Sequence, residues 1–389
     1  MHSSENTTDR PTAQAIDSGA LRAMFDPTEI GGLDLRNRFV MAPMTRCYCP
    51  GGVPGQGVVD YYQRRARGGV GLIISEGTFI SHPAAANDAN IPVFHGEPAL
   101  KGWSAVVAAV HAAGAKMIPQ LWHVGLIHKQ KAPTVAQEIL QAPQVSPSGY
   151  LNATSRVGEP MTQAEIDTVV RAFGDAAASA WRLGFDGVEI HGAHGYLIDQ
   201  FLWEGTNRRT DAYGGSLAAR ARFAAEIVRE CRRRVGPRFP ISFRLSQWKQ
   251  QDYTARLVQT PAELEAILTP LVEAGVDLFH CSQRRYWTPE FAGSTRSLAG
   301  WTKVVTGKPA IIVGSVGLDR DMAAAGFAVG ATAAVADLDR LLQMFADEEF
   351  DLVAIGRMMV SNPEWCNLLQ AGRWQSARPY SSAHLSELS

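Results

Sequence analysis

Val188-Glu189-Ile190-His191-Gly192-Ala193-His194-Gly195-Tyr196-Leu197-Ile198-Asp199-Gln200-Phe201 begins as a short apolar strand and then breaks into a loop. Gly192 and Gly195 let the backbone bend there, and His191, His194 and Tyr196 crowd the bend. Two imidazoles and a phenol beside one strand end bring hydrogen-bond donors and a proton source together. Any one of the three alone is more often a loop residue satisfying backbone groups. The three together point to a site.

Working outward, the same strand-then-connection unit recurs. Apolar runs stand at Asn37 to Pro43, Gly71 to Gly77, Lys116 to Gln120, Asp186 to His191, Pro240 to Leu245, Val276 to Cys281, Pro309 to Gly314 and Asp351 to Arg357. Helical patterns between them include Glu97 to Ala113, Thr162 to Leu183, Leu217 to Val235 and Thr260 to Ala274. Thr162 with Glu165 and Thr260 with Glu263 fit capping boxes. Gly114, Gly184 and Gly275 stand where a left-handed residue closes a helix. Continuous apolar runs mark strands covered on both faces, and eight of them close a parallel barrel. An open doubly wound sheet would show a glycine fingerprint after its first strand, and Ala42-Pro43-Met44-Thr45 is not one. The expected fold is a single (β/α)8 TIM barrel with long loops on its C-terminal face. Three excursions interrupt the alternation, at Leu126 to Met161, Ser282 to Ser297 and Leu318 to Ala336. The first two follow strands and are expected to shape a pocket.

Bulk properties narrow the class. The length of 389 residues suits two average domains or one large barrel, and 46% apolar residues suit a full core. A formal charge of −1 argues against a nucleic-acid binder. No run spans a bilayer; the nearest, Met322 to Ala336, is mostly Ala and Gly. The N-terminus lacks a basic start followed by an apolar segment, so no secretory signal is expected. Five cysteines without framework spacing suit a reducing, cytoplasmic setting. The expected organisation is a polar N-terminal tail over 1–20, a barrel over 21–380 and a short C-terminal tail over 381–389.

A barrel gathers its C-terminal strand ends at one pocket. Here they carry Pro43-Met44-Thr45, Gly77, Gln120, His191 with His194 and Tyr196, Arg244, Ser282-Gln283, Gly314-Ser315 and Gly356-Arg357. Without paired carboxylates a glycosidase is disfavoured, and without a Gly-x-Ser-x-Gly elbow acyl transfer is too. The seventh and eighth strands end in Gly314-Ser315 and Gly356-Arg357, at the place where barrels hold phosphate. Glycine lets backbone N–H groups approach the oxygens, and Arg357 adds a charged fork. Gln120 offers a donor and an acceptor to an amide-like edge, Thr45 one donor, and Arg244 a fixed charge for a heterocycle gaining electrons. A phosphorylated cofactor with a polar heterocycle suits this set. Two other readings stay open: Glu189, His191 and His194 as metal ligands of a barrel hydrolase or lyase, and a barrel that binds a phosphorylated ligand without chemistry.

Larger motifs add a resemblance. Phe25-Asp26-Pro27, Asn37-Arg38, Ala42-Pro43-Met44-Thr45-Arg46, Ser75-Glu76-Gly77-Thr78 and Gln120-Leu121-Trp122-His123-Val124-Gly125 stand in the order found in the Old Yellow Enzyme family. His191-Gly192-Ala193-His194-Gly195-Tyr196-Leu197, Asp211-Ala212-Tyr213-Gly214-Gly215-Ser216, Phe243-Arg244-Leu245-Ser246 and Ile355-Gly356-Arg357 continue it. The likeness runs from about Leu21 to Tyr380. It implies an FMN-binding barrel, with FMN held non-covalently, that uses NADH or NADPH to reduce the activated C=C bond of α,β-unsaturated carbonyl compounds. It places Pro43, Met44, Thr45, Gly77, Gln120 and Arg244 on the isoalloxazine, and Gly314, Ser315, Gly356 and Arg357 on the phosphate. His191 and His194 would hold the substrate oxygen and Tyr196 would donate the proton. Thr45 matches the threonine-bearing branch of the family. The loop Ser282-Gln283-Arg284-Arg285-Tyr286-Trp287 departs from its better-known members. Cys47 and Cys49 are too few and too close for an iron–sulfur cluster, so no metal is expected. The implied partners are an enone and a nicotinamide, in a monomer or homo-oligomer.

Overall fold

Val, Ile, Leu and Ala runs too apolar for a half-exposed sheet are here buried on both faces, as a closed parallel sheet requires. The structure, a computed structural model, describes residues 18–127, 144–321 and 330–389. Eight strands form the barrel: β1 (Phe39–Met41), β2 (Leu72–Phe79), β3 (Lys116–Trp122), β4 (Val188–His191), β5 (Ile241–Ser246), β6 (Leu278–Ser282), β7 (Ala310–Val313) and β8 (Leu352–Ile355). Each pairs in parallel with the next. Closure comes from β8 on β1, with Val353 opposite Phe39 and Ile355 opposite Met41. The expected (β/α)8 barrel is the fold.

Around the strands run α1 (Gln56–Arg67), α2 (Glu97–Ala112), α3 (Gln163–Leu183), α4 (Leu217–Val235), α5 (Pro261–Ala274), α6 (Leu298–Thr306), α7 (Asp339–Ala346) and α8 (Trp365–Gln370). Both capping boxes form: Thr162 and Thr260 accept from the Glu165 and Glu263 backbone N–H groups, and each glutamate reaches back to its cap. Such a cap stabilises a helix by about 1 kcal/mol. Gly184 and Gly275 close α3 and α5 in the left-handed region, where a side chain is disfavoured.

The core has two parts. Inside the barrel, Val40, Leu72, Ile74, Ile118, Leu278, Ile311 and Leu352 pack together with Ile30, Leu33 and Leu35. The last three come from a hairpin, Thr28–Ile30 with Leu33–Leu35. Its turn, Gly31-Gly32, has positive φ at both positions, the geometry that a two-residue hairpin turn needs. The hairpin therefore plugs the N-terminal end of the barrel and leaves the C-terminal end for the site. The larger cluster lies between strands and helices.

Several boundaries differ from the sequence expectation. β2 continues to Phe79 and β3 to Trp122, and β2 changes register against β3 between Ile74 and Gly77. The N-terminal tail expected over 1–20 contains the start of a helix, Ser18–Met24; residues 1–17 lie outside the described residues, as do 128–143 of the first excursion and 322–329 of the third. The segment 381–389, expected as a tail, is held against the barrel. Tyr380–Ser381 pairs with Thr332–Ala333, Arg46 donates to the Glu387 carbonyl at 2.6 Å, and Arg65 donates to the Ser389 carbonyl at 2.8 Å. Both guanidiniums are buried, and these oxygens give each an acceptor, although Arg46 Nε and Nη1 have none among the described residues. Among the described residues no helix is long and apolar enough to cross a membrane.

Candidate active site

A cavity of about 720 Å³ opens at the C-terminal ends of the strands, a size ordinary for a cofactor or small-molecule site. Of the residues singled out from sequence, Pro43, Met44, Thr45, Gln120, His191, His194, Tyr196, Arg244, Gly314, Ser315, Gly356 and Arg357 line it. Gly77 does not. It sits at the change of register in β2, where a Cβ would come within 2.5 Å of the Trp122 ring; its lack of a side chain makes room for that indole.

His191, at the end of β4, accepts from the Ala193 N–H through Nδ1 at 3.3 Å. The neutral ring therefore carries its proton on Nε2. Burial, then the Arg244 charge, pushes its pKa down to about 3, so it is neutral at ordinary pH. His194 follows with φ +66, a conformation that costs a non-glycine residue on the order of 1 kcal/mol or more. Tertiary bonds hold it there. Its N–H donates to Ser246 Oγ at 2.9 Å, and its carbonyl accepts from the Gln250 N–H at 3.1 Å. His194 Nε2 lies 2.8 Å from Ser282 Oγ. Arg244 also donates to that hydroxyl, at 3.5 Å; with the Ser282 O–H turned to His194, the neutral ring carries its proton on Nδ1. Burial and Arg244 hold His194 far below the usual imidazole range.

Tyr196 stands edge-on to His191 with ring centroids 5.1 Å apart, and edge-on to Trp122 at 4.7 Å. Gln250 donates to its hydroxyl oxygen at 2.7 Å, which leaves the O–H free to donate. Burial pushes the phenol up from its usual range, with Gln250 opposing, so it stays protonated at neutral pH. Trp248 stacks on His194 at 4.4 Å and on Tyr253 at 5.5 Å; Arg284 caps Tyr253 at 4.9 Å.

Across the cavity, Arg357 donates to Ser315 Oγ at 3.0 Å and to the Arg320 carbonyl at 2.6 Å. Ser315 has φ +58, and its hydroxyl donates to the Arg284 carbonyl at 3.0 Å. A Cβ on Gly314 would lie 2.5 Å from the Gln283 carbonyl oxygen, and one on Gly356 would lie 3.0 Å from Met44 Sδ. Glycine at both positions keeps side chains out of this corner. The third excursion contributes too, through Leu318, although only the first two were expected to do so.

Sequence reasoning missed Trp122, Trp248, Gln250, Gln251, Asn87, Asp88 and Cys47, all of which line the cavity, while Arg284 lines it from the excursion expected to shape a pocket. Trp122 was within reach, because it stands two residues past Gln120 on the same face of β3. The stretch from Trp248 to Gln251 gives no local signal beyond following a strand end. Glu189 lies apart from the two histidines' chemistry. It accepts from Gln120 Nε2 at 2.7 Å, from Ser242 Oγ at 3.0 Å and from His280 Nδ1 at 2.9 Å. Among the described residues no group of three His, Cys, Asp or Glu side chains is placed to hold a metal ion.

A cavity divided between a glycine-lined corner beside Arg357 and a wall of neutral donors suits a barrel that takes a phosphorylated heterocyclic cofactor. Comparison with known proteins carries this to the family. Residues 23–376 match the NADH:flavin oxidoreductase / NADH oxidase family. The chain is 34% identical to the NADH oxidase of Thermoanaerobacter brockii over 93% of its own length, but spans only 53% of that protein. It is 32% identical to 12-oxophytodienoate reductase 1 of Oryza sativa subsp. japonica, over 90% of this chain and 86% of the relative. Its backbone is similar to the structure of morphinone reductase in complex with tetrahydroNAD, with TM-score 0.73 and 30% identity over 90% of this chain and 91% of that one. The chain belongs to this family, that of Old Yellow Enzyme: NAD(P)H-dependent flavin oxidoreductases with FMN as cofactor. The residues present fit FMN. Arg244 Nε is buried with no partner among the described residues, so the site holds an N–H of a charged group that they leave unsatisfied.

Proposed function

We propose that the protein reduces the activated C=C bond of α,β-unsaturated carbonyl compounds. The observation that carries this is the convergence of two neutral imidazoles and one protonated phenol on the same wall of the cavity. FMN, when bound, would supply hydride-transfer chemistry between NAD(P)H and the β carbon. His191 donates through Nε2 and His194 through Nδ1 to the carbonyl oxygen. Negative charge grows on that oxygen, so each donor binds the forming enolate more strongly than the ground-state carbonyl and lowers the barrier. Tyr196 gives its proton to the α carbon. Gln120, Arg244, Thr45, Met44 and Pro43 hold the heterocycle, while Ser315, Arg357 and the backbone at Gly314 and Gly356 hold the phosphate. Gly77 acts at one remove, by seating Trp122.

The test is to purify the protein, release and identify its flavin, and follow NADPH-driven conversion of 2-cyclohexen-1-one to cyclohexanone. Conversion with consumption of one NADPH per product is expected. A flavin-loaded protein that oxidises NADPH with oxygen yet converts no enone would overturn the proposal.

A further inference from the structure

Glu189 is a fully buried carboxylate that the proposed reaction does not use. It lies opposite Gln120 in the β3–β4 register and opposite Ser242 in the β4–β5 register, behind Gln120, which lines the cavity. Burial works to raise its pKa, but His280, Arg244 and the Gln120 amide outweigh this and hold it at about 2. An ionised carboxylate only accepts. This removes the usual ambiguity about which way a glutamine side chain points: Gln120 must turn its NH2 group to Glu189, and the 2.7 Å bond to Nε2 agrees. Oε1, an acceptor, is then the amide atom left for the cavity that Gln120 lines.

We infer that Glu189 is a positioning residue for the cofactor: it fixes Gln120 as an acceptor, so that the site selects a heterocycle whose edge carries an N–H, as the imide of the flavin pyrimidine ring does. This rests on the reading that Gln120 faces that edge. Glu189 also sets the charge there. It offsets Arg244, whose Nε has no partner among the described residues and whose bond to Ser282 is long. Without the carboxylate the same edge would see an uncompensated guanidinium and would hold a reduced, negatively charged flavin more tightly.

The experiment measures binding of FMN and of FMN methylated at the imide nitrogen to the full chain, together with the midpoint potential of bound FMN. Losing the bond and leaving a buried acceptor unpaired should make the wild type prefer FMN by roughly 10- to 100-fold. In Glu189→Gln the Gln120 amide is free to turn over, so the preference should narrow by about tenfold and the potential should become more positive. A merely structural role would weaken both flavins alike and leave their ratio unchanged; that result overturns the inference. The exchange Gln120→Glu with Glu189→Gln puts an acceptor back on the cavity side and should restore the preference. It decides the matter if the single variant fails to fold, and no preference in the exchanged protein is fatal to the idea. If the wild type itself does not prefer FMN, the placement of Gln120 fails first. If Gln120→Ala loses the preference and Glu189→Gln keeps it, only the role of Glu189 fails.

Discussion

Lys249 Nζ lies 2.7 Å from Asp199 Oδ1, with both side chains wholly buried. This pair joins the loop after β5 to the turn after β4, since Asp199 Oδ2 also accepts from the Gly195 N–H at 2.7 Å. Lys249 gives a second bond to the Ser246 carbonyl at 3.2 Å. His194, Tyr196, Trp248 and Gln250 all hang from the two segments so tied. Lys249→Met strands a buried carboxylate and should cost about 3–5 kcal/mol. Adding Asp199→Asn, which keeps an acceptor for Gly195, should recover much of it. Denaturant unfolding of the three proteins gives the answer, and an unchanged midpoint for the single variant would contradict it.

Tyr196→Phe should separate the two halves of the reaction. Flavin reduction by NADPH needs no proton from the enzyme and should proceed nearly as before. Enone reduction should slow by about 10²- to 10⁴-fold, the usual loss of a placed general acid. Stopped-flow traces of both halves check this; equal slowing of the two would make Tyr196 a binding residue.

Gln250→Leu removes the donor to the Tyr196 oxygen and leaves the phenol less acidic still. Without a bond worth about 1 kcal/mol, enone reduction should fall about fivefold, with flavin reduction unaltered. The measurement is the same pair of half-reactions, and no change in the enone half would mean that the amide does not act on the phenol.

Arg357→Ala takes a charged fork from the glycine-lined corner. Charge-assisted bonds contribute roughly 1.5–3 kcal/mol, so FMN should bind about one to two decades more weakly. Fluorescence titration of the apoprotein reads this directly. Unaltered affinity in a folded variant would move the phosphate elsewhere.

Glu76 gives stability a dependence on pH. Burial first, partly opposed by the Arg46 N–H and charge, pushes its pKa up from 4.5 to about 7. As pH rises from about 4.5 to about 7, the unfolded carboxyl loses its proton while the folded one keeps it. Stability from this group is therefore present below the lower value and lost by the upper. Glu76→Gln, which keeps an acceptor for the Arg46 N–H now held at 3.0 Å, should gain on the wild type across that window by about 3 kcal/mol at most. Paired unfolding curves at pH 4.5 and 7.5 measure the gain; a constant difference between them would rule it out.

The chain's local chemistry wrote much of this in advance. Short continuous apolar runs alternating with helical patterns suit strands covered on both faces, so the barrel and its strand count were legible. Threonine three residues before glutamate, and glycine past a helix, act within a few residues and marked the ends of α3 and α5. Strand ends marked most of the residues that line the cavity, because a parallel barrel delivers every C-terminal end to one face. α1 escaped notice, having Gly55 at its start with no side-chain cap. What tertiary structure alone decided is what depends on closure. Lys249 and Asp199 are 50 positions apart, and nothing near either one in sequence requires the other. Glu189 reads as a possible metal ligand beside His191 until Gln120, Ser242 and His280 arrive from three other strands to claim it. Gly77 reads as a cofactor contact until a register change turns it under Trp122. Periodicity and capping are properties of one segment, whereas the partner of a buried charge is set by which strands the barrel makes neighbours.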